Sequence, residues 1–303
     1  MTDLSILQQR VAQCHVDCEM KYNEPLSKHT SFRIGGPAEI MAFPKDTKQL
    51  SAILKLSALL DAKTVILGAG TNVLAPDDGI RGIVICLKDC MDGIEICNDT
   101  DIRVSAGVTM TRAAVFAANH GLSGLEFAHG IPGTVGGGVF MNAGAYGGEI
   151  KNVCIRVTVM TNDGILHDLS NEEMQFSYRH SKAMDSDTIV VSAVFRLQKK
   201  PTEEIRNVMK DLMNRRSASQ PLDMPSAGSA FKRPVGGYAA ALIDDAGLKG
   251  FSVGKAAIST KHAGFAVNLG GATAADVQTL LQRVSDIVYE RSGIRLEPEV
   301  RIW

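Results

Sequence analysis

The stretch Gly130 to Gly148, GIPGTVGGGVFMNAGAYGG, holds eight glycines in nineteen positions and is the most informative part of this sequence. Glycine lacks a Cβ, so consecutive backbone N–H groups can face one anion and the main chain can approach a ligand closely. The spacing has no period of three, which excludes collagen, and apolar residues between the glycines argue against a flexible linker. The stretch predicts a phosphate-binding loop, with tight turns at a glycine-rich sheet rim as the alternative.

A second glycine turn follows a short predicted strand upstream. The apolar run Thr64 to Leu67 leads into GAGTN, Gly68 to Asn72, which is a second candidate for phosphate binding. A single GxG is weak evidence. Because position 73 is Val73 and no long amphipathic helix follows, the dinucleotide-binding βαβ unit is not supported. The pattern GxxxxGK[ST] is missing from the sequence, which argues against a P-loop hydrolase.

Composition narrows the class of protein. A chain of 303 residues is long enough for more than one domain. Its net charge of −1 provides no positive field for a polyphosphate backbone, so we expect no nucleic-acid partner. The first twenty residues place Leu4, Leu7, Val11, Cys14 and Cys18 on one helical face and do not form a signal peptide. No apolar run approaches the ~20 residues that cross a bilayer, so we expect a soluble, cytoplasmic protein without membrane contact. A monomer is expected, although no sequence feature determines the oligomeric state.

The cysteines give no sign of disulfides or metal binding. Six are present without a CxxC pair, and a chain of this size does not need disulfides, so reduced thiols are expected. Cys14, His15 and Cys18 could be considered as ligands, but His15 points away from the face that the two cysteines share. We therefore expect no metal site.

Periodicity predicts a small α+β region, then a β-rich region, and then a region in which helices and strands alternate. Helices are expected over Thr47 to Leu60, over Thr111 to His120, from Ile205 to before Ser217, and from Thr273 to a stop at Gly293. Strands are expected at Ala38 to Phe43, Thr64 to Leu67, Gly82 to Leu87, Ile94 to Ile96, Ile102 to Ser105, Val153 to Met160, Ile165 to Leu169, Thr188 to Leu197 and Arg295 to Trp303.

Three polar clusters are candidates for chemistry: Phe176 to Ser181, Ser226 to Pro234, and Glu297 to Arg301. Taken singly, each has a structural explanation. Arg179 could form a surface ion pair. Ser229 could be a helix cap or a turn residue, and Glu299 could lie on a solvated strand face. Chemistry depends on the three clusters meeting. A hydrolase triad is poorly supported, because GxSxG is missing and no histidine has the spacing of a base for Ser229.

Six ordered motifs resemble the UDP-N-acetylenolpyruvoylglucosamine reductase family of bacterial cell-wall synthesis. They are SFRIGGPAE from Ser31, GAGTN, the Gly130 stretch, YRHS from Tyr178, GSAFKRP from Gly228 and LEPEVR from Leu296. The resemblance extends from about Asn23 to the C-terminus. Only 49 residues separate Arg179 from Ser229, which is similar to the shorter, type II branch.

The resemblance implies an α+β fold: a two-subdomain FAD-binding module of the vanillyl-alcohol-oxidase type plus a C-terminal α+β substrate domain. The boundaries expected are 1–88 for the first FAD-binding subdomain, completed by a C-terminal strand at 299–303. The second subdomain is expected at 89–205 and the substrate-binding domain at 206–298.

The resemblance also implies FAD, bound non-covalently, with NADPH as co-substrate. The two negative charges of the FAD pyrophosphate match glycine loops that offer backbone N–H donors. Arg216 and Arg301 match arginines that approach the flavin ring system in the family. The implied cofactor-binding residues are Gly68, Ala69, Gly70, Thr71, Asn72, Gly130, Ile131, Pro132, Gly133, Thr134, Gly136, Gly137, Asn142, Gly144, Arg216 and Arg301.

The implied reaction moves hydride from NADPH through flavin N5 to the enolpyruvyl ether of a UDP-sugar, a small-molecule substrate. Arg179 would hold the charge that develops on the substrate, protonated Glu299 would assist, and Ser229 would deliver the proton. These three are the implied catalytic residues. The implied substrate-binding residues are Tyr178, Lys232, Arg233, His262 and Asn268.

Two alternatives remain open from the sequence. A flavin oxidase of the same fold would usually carry a covalent tether, and His129, directly before Gly130, is the residue that keeps this alternative open. A non-catalytic flavin or nucleotide-binding protein would retain the glycine loops but would have no reason to keep Arg179, Ser229 and Glu299 together.

Overall fold

The computed structural model describes residues 5–303, and they form two compact units. Unit 1 consists of the described residues up to Asn23, of Glu39–Ala69 and of Arg81–Asn214. Unit 2 consists of Glu24–Ala38, Gly70–Ile80 and Arg215–Trp303. The division into domains at 1–88, 89–205 and 206–298 stays a prediction.

The helices and strands of the described residues have the following bounds. The α-helices are α1 (Ile6–Gln13), α2 (Thr47–Leu59), α3 (Met110–Asn119), α4 (Val135–Phe140), α5 (Thr202–Ser219), α6 (Ala239–Asp245) and α7 (Ala274–Ser292). The strands are β1 (Glu19–Pro25), β2 (Pro37–Phe43), β3 (Thr64–Leu67), β4 (Val73–Leu74), β5 (Ile80–Cys86), β6 (Ile94–Ile96), β7 (Asp101–Ser105), β8 (Leu122–Ser123), β9 (Gly144–Ala145), β10 (Gly148–Glu149), β11 (Cys154–Thr161), β12 (Leu166–Ser170), β13 (Thr188–Arg196), β14 (Gln198–Lys199), β15 (Ser226–Ser229), β16 (Ser252–Val253), β17 (Ala256–Ile258), β18 (Phe265–Asn268) and β19 (Arg301–Ile302).

The first sheet has the order β1-β2-β5-β3, with β3 parallel to β5. Helix α2 begins where the Asp46 side chain accepts a hydrogen bond from the Gln49 N–H at 2.8 Å. Its apolar face, Leu50 and Ile53, is buried in one cluster with Ile83 of β5. This packing holds the end of β3, and with it Gly68, in place.

The second sheet of unit 1 is antiparallel throughout, in the order β12-β11-β13-β7-β6. Its central strand β13 is buried from Ile189 to Phe195, as expected for a strand covered on both faces. Helix α3, capped by Thr109, lies in the same hydrophobic core through Ala113 and Ala117. The glycine stretch packs on this core.

The glycine stretch contains regular structure that the sequence did not predict. Val135–Phe140 form α4, with Thr134 as its N-cap, and β9 and β10 form a hairpin. A Cβ on Gly136 would lie 2.8 Å from the Ala106 Cβ, so this glycine allows close packing. Part of the predicted phosphate-binding stretch is therefore packed helix and hairpin.

Unit 2 has an antiparallel sheet, β15-β18-β17-β16, packed with α6 and α7 around one hydrophobic cluster. The predicted capping box of α7 is present: Thr273 and Asp276 bond reciprocally at its start. Asp77 adds two hydrogen bonds from the backbone N–H groups of Ala274 and Ala275 at 2.8 and 3.2 Å. Gly293, with φ of 71°, ends the helix as predicted.

Three predicted elements differ from the structure by more than two residues at one end. The C-terminal strand is only Arg301–Ile302, because Pro298 has no N–H to donate to a ladder. Helix α5 runs to Ser219 instead of ending before Ser217, and Pro221 follows its end. Helix α1 is shorter than the predicted face, of which Leu4 lies outside the described residues. Within residues 5–303, no helix combines the length and apolar character needed to span a membrane.

Candidate active site

The two glycine segments of the predicted cofactor site touch each other in unit 1. A Cβ on Gly68 would lie 2.5 Å from the Thr134 Oγ1, closer than side chains tolerate. Thr134 itself follows the loop Gly130 to Gly133 and starts α4. Gly68 therefore leaves room for the Thr134 hydroxyl, and the end of β3 and the start of α4 form one continuous surface.

Within the glycine stretch, the first N–H groups of α4 already have acceptors. Val135 donates to the Val108 carbonyl oxygen and Gly136 to the Ala106 carbonyl oxygen, at 2.8 and 2.9 Å. Gly137 donates to the Thr134 side chain at 3.3 Å. The sequence predicts that Gly136 and Gly137 bind phosphate through their backbone N–H groups. In the structure, these two N–H groups donate to acceptors within the protein instead. In the loop before Thr134, Ile131 and Gly133 also donate within the protein, to the Ala128 and Ile131 carbonyl oxygens at 3.0 Å each. The end of β3 is therefore the better candidate for anion donors.

Arg179 occupies a tight turn with an unusual backbone conformation. Ser177 and His180 pair across the turn, and Arg179 has φ of 54°, a region that glycine or asparagine normally occupies. Its Nη2 donates to the Gly144 carbonyl oxygen at 3.1 Å. The exposed Tyr178 ring lies beside the guanidinium, with 5.1 Å from Cζ to the ring centroid. The predicted catalytic arginine therefore lies against the predicted cofactor segment.

Asn142, which the resemblance places at the cofactor, is fully buried and serves the protein itself. Its Nδ2 donates to the Glu149 Oε2 at 3.0 Å and to the Ser177 carbonyl oxygen at 2.9 Å. Its Oδ1 accepts from the Lys151 N–H at 2.9 Å. Both side-chain N–H groups are thus engaged within unit 1.

In unit 2, Ser229 is exposed at an irregular point of β15. Ser226 pairs with Val267 and Ser229 with Phe265, so β15 has one extra residue between these pairs. Gly228, at φ of 77°, lies inside this bulge. Bulges re-aim a side chain relative to its strand, and here the exposed side chain is that of the predicted proton donor.

The backbone of Glu299 is held by hydrogen bonds to Ala230 and Asn72. Its N–H donates to the carbonyl oxygen of Ala230, the residue after Ser229, at 3.0 Å. Its own carbonyl oxygen accepts from the Asn72 Nδ2 at 3.2 Å, and the Arg301 N–H donates to the Asn72 carbonyl oxygen at 3.0 Å. Unit 2 therefore brings together two predicted catalytic residues and two predicted cofactor-binding residues.

The predicted substrate-binding residues of unit 2 have varied surroundings. Lys232 forms an ion pair with Glu297 and Arg233 lies over the Tyr238 ring, 4.0 Å from its centroid. His262 Nδ1 accepts from the Gly264 N–H at 3.1 Å, and burial lowers the pKa of His262. At neutral pH this imidazole is therefore uncharged.

Asn268 and Arg216 are buried, unlike the exposed Ser229. Asn268 donates to the Phe32 carbonyl oxygen at 2.9 Å and accepts from the N–H groups of Gly270 and Ala272. Its amide thus holds loops of unit 2 together. Arg216, near the end of α5, donates to the Gln220 Oε1 at 3.3 Å.

Two structurally important residues were missed by the sequence analysis. Ser181 is fully buried and its hydroxyl donates to the Phe140 carbonyl oxygen at 2.7 Å. Ser31 donates its hydroxyl to the Ser226 carbonyl oxygen at 2.6 Å and its N–H to the Gly70 carbonyl oxygen at 3.0 Å. Ser31 belongs to the motif SFRIGGPAE and Ser181 to the motif YRHS, so the motifs could have drawn attention to both. Their hydrogen-bond partners are distant in sequence and were not predictable from the motifs.

His129 is the residue that the oxidase alternative would use. Its Nδ1 is buried without a hydrogen-bond partner among residues 5–303, and burial lowers the pKa of His129.

Residues 5–303 contain no group of three or more His, Cys, Asp or Glu side chains arranged to hold a metal ion. All six cysteines are free thiols.

Comparison with known proteins assigns the chain to a family. A protein-family model described as UDP-N-acetylenolpyruvoylglucosamine reductase, C-terminal domain, matches residues 220–303. A second family model, described as FAD binding domain, matches residues 38–170. A protein from Agathobacter rectalis named UDP-N-acetylenolpyruvoylglucosamine reductase is 48% identical over 291 residues, which cover 92% of each chain. The chain belongs to the UDP-N-acetylenolpyruvoylglucosamine reductase family. This confirms the resemblance and gives no support to the oxidase alternative.

Solved structures agree with this family. The structure of the UDP-N-acetylenolpyruvylglucosamine reductase from Thermus caldophilus matches at a TM-score of 0.81 and 36% identity, covering 94% of this chain and 98% of that one. Alkyldihydroxyacetonephosphate synthase, at a TM-score of 0.50 and 13% identity over 63% of this chain and 40% of its own, shares the fold. The expected α+β fold with a FAD-binding module of the vanillyl-alcohol-oxidase type is confirmed.

The residues present fit the cofactor of this reductase family. FAD, with NADPH as co-substrate, is the expected pair, and the FAD-binding match spans both glycine segments. Gly68 and Thr134 bring these segments into contact, as one pyrophosphate would require. Arg179 belongs to unit 1, whereas Ser229 and Glu299 belong to unit 2, so the meeting of all three stays a prediction.

Proposed function

We propose that this protein uses NADPH to reduce the enolpyruvyl ether of a UDP-sugar, giving UDP-N-acetylmuramate for peptidoglycan precursors. The observation that carries the proposal is the hydrogen bond from the Glu299 N–H to the Ala230 carbonyl oxygen. It holds the main chain of Glu299 against Ala230, the residue after the exposed Ser229, in a chain whose relatives are named UDP-N-acetylenolpyruvoylglucosamine reductase. A cytoplasmic location, and roles in cell shape and division, are part of the same proposal.

Bound FAD would supply a carrier that takes a hydride from NADPH and delivers it to the terminal carbon of the substrate double bond. The end of β3, next to Thr134, would hold its pyrophosphate, and Arg216 and Arg301 would interact with the ring system. The overall change balances: one hydride and one proton are added to the double bond, and NADPH becomes NADP⁺.

Hydride addition to the terminal carbon leaves negative charge on the adjacent carbon and on the carboxylate that this carbon bears. Arg179 would bind this carboxylate. A guanidinium forms charge-assisted hydrogen bonds that strengthen as this charge grows, so it stabilises the transition state more than the ground state. Its contact with the Gly144 carbonyl oxygen fixes the guanidinium before substrate binds. Protonated Glu299 would donate a further hydrogen bond to the same developing charge.

Ser229 would give its hydroxyl proton to the substrate carbon that carries the negative charge. A serine is a weak acid, but a carbanion-like carbon is basic enough to take the proton. The bulge at Gly228 leaves Ser229 exposed for this task. Lys232 would bind the substrate and stabilise the alkoxide that Ser229 becomes when it gives up its proton. Its ion pair with Glu297 would first have to open. Tyr178, Arg233, His262 and Asn268 complete the proposed substrate site.

The two half-reactions test this proposal separately. In wild-type protein reconstituted with FAD, NADPH should bleach the visible flavin absorbance and the enolpyruvyl substrate should restore it. Ser229→Ala should leave the bleaching rate unchanged and slow the restoration by ~10²- to 10⁴-fold, the range for general acid catalysis. Equal loss of both steps would remove Ser229 from the role of acid. Restoration by air as fast as by substrate would favour an oxidase.

A further inference from the structure

The turn that carries Arg179 is tied to the end of the glycine stretch at three points. Asn142 donates to the Ser177 carbonyl oxygen before Arg179, and Ser181 donates to the Phe140 carbonyl oxygen after it, at 2.9 and 2.7 Å. Arg179 itself donates to the Gly144 carbonyl oxygen at 3.1 Å. All of these contacts lie within unit 1.

The backbone of this turn needs such support. Arg179 has φ of 54°, a conformation that is unfavourable for a residue with a Cβ and persists only when its surroundings enforce it. Asn142 also has a positive φ, 45°, but asparagine adopts this region readily. Asn142 is thus suited to its own backbone position, whereas Arg179 is held in an unfavourable one.

The surroundings of Asn142 make it the strongest of the three ties. It is fully buried, and besides Ser177 it binds the Glu149 carboxylate and the Lys151 N–H, so its amide has one orientation. Its backbone N–H donates to the Val139 carbonyl oxygen. A buried amide with this many bonds cannot shift without leaving several polar groups without partners.

We propose that Asn142 is the positioning residue for Arg179, acting through the Ser177 carbonyl oxygen rather than by touching FAD or substrate. Ser181 supports the other side of the same turn. This inference rests on the proposed function, because it takes Arg179 as the group that binds the substrate carboxylate. Its consequence is that the segment assigned to the cofactor also sets the geometry of the substrate-binding arginine.

A double-mutant cycle tests the proposal. Glycine suits the positive φ of position 142, so Asn142→Gly removes the side-chain bonds without adding backbone strain. This variant should leave flavin reduction by NADPH unchanged. It should slow flavin reoxidation by the enolpyruvyl substrate by about 10- to 100-fold, which is the rate loss expected when a group such as the Arg179 guanidinium is displaced by about 1 Å. In an Arg179→Ala background the same substitution should change reoxidation by less than about twofold.

A matched control shows that this effect is specific to the turn. Asn171 also donates its amide to two carbonyl oxygens of unit 1, those of Lys151 at 2.9 Å and Cys154 at 2.6 Å, but it has no bond to the turn. Asn171→Ala should leave both half-reactions unchanged. If Asn142→Gly fails to fold, Ser181→Ala replaces it in the cycle, with an expected slowing of about 2- to 10-fold that also vanishes without Arg179.

The outcomes separate this proposal from the proposed function. If Arg179→Ala alone leaves reoxidation unchanged, the role of Arg179 in the proposed function fails, and the positioning role fails with it. If Arg179→Ala is damaging but the Asn142→Gly effect multiplies with it, Asn142 does not act through Arg179 and only the present inference is overturned. Equal slowing of both half-reactions by Asn142→Gly would also overturn it, since that result indicates general damage to the flavin site.

Discussion

Gly68→Ala tests the contact between the two glycine segments. The added Cβ would lie 2.5 Å from the Thr134 Oγ1, whereas ordinary contacts begin at 3.4 Å, so the hydroxyl must rotate away. Other Thr134 atoms would be 3.7 Å from the new Cβ, which requires no backbone movement. Rotation gives up the hydrogen bond from the Gly137 N–H, and losing an N-cap bond costs ~1 kcal/mol. Gly68→Ala should therefore destabilise α4 by that amount.

Amide hydrogen exchange of Gly137 in apo-protein measures this cost directly. Gly68→Ala and Thr134→Ala should each raise exchange roughly fivefold, which corresponds to ~1 kcal/mol. The double variant should match either single variant, because both remove the same bond. Gly93→Ala is the control, since its Cβ would meet only the Ser105 Oγ at an ordinary 3.4 Å. Additive effects near 25-fold in the double variant would refute the proposed contact.

Two further predictions concern ionisation. Two hydrogen bonds from Arg196 hold the pKa of Asp101 at about 2, below its usual 3.8, so this carboxylate stabilises the fold above pH 3.8 and loses that contribution as pH falls toward 2. The melting temperature of wild-type protein should fall over this interval, and an Asp101→Asn variant should show less of that decline. Burial raises the pKa of Cys154 to about 12, so iodoacetamide at pH 8 should alkylate the exposed Cys14 and Cys97 while Cys154 stays unmodified by mass spectrometry.

Elements with local signals were predictable from the sequence. Thr64–Leu67 is observed as a strand with the predicted bounds, since a short apolar run between turn residues leaves few alternatives. Thr273 and Gly293 were correctly predicted to begin and end α7, because capping depends on residues close in sequence. Val135–Phe140 was not predicted to be a helix. Each glycine disfavours helix by about 1 kcal/mol, and buried packing of Val135 and Val139 overrides that preference.

The candidate site divides in the same way. Motifs identified the residue types at the site, but the environment of each residue comes from partners that are distant in sequence. Asn142 illustrates this limit: its contact with the Ser177 carbonyl oxygen spans 35 positions. No local pattern distinguishes an amide that binds a cofactor from one that holds a turn. The bond between Glu299 and Ala230 joins residues that are still farther apart in sequence, so a sequence can suggest that they meet but cannot give the geometry.

The composition of unit 2 has a consequence for biosynthesis. Its early segments, Glu24–Ala38 and Gly70–Ile80, pack with Arg215–Trp303, and β4 gains its parallel partner only from β19. At bacterial translation speeds, roughly ten seconds pass between emergence of the early segments from the ribosome and synthesis of their partners. Throughout that delay the apolar side chains of Phe32 and Leu74 lack their native neighbours. The nascent polypeptide should therefore expose apolar surface that chaperones can bind until Arg215–Trp303 has been synthesised.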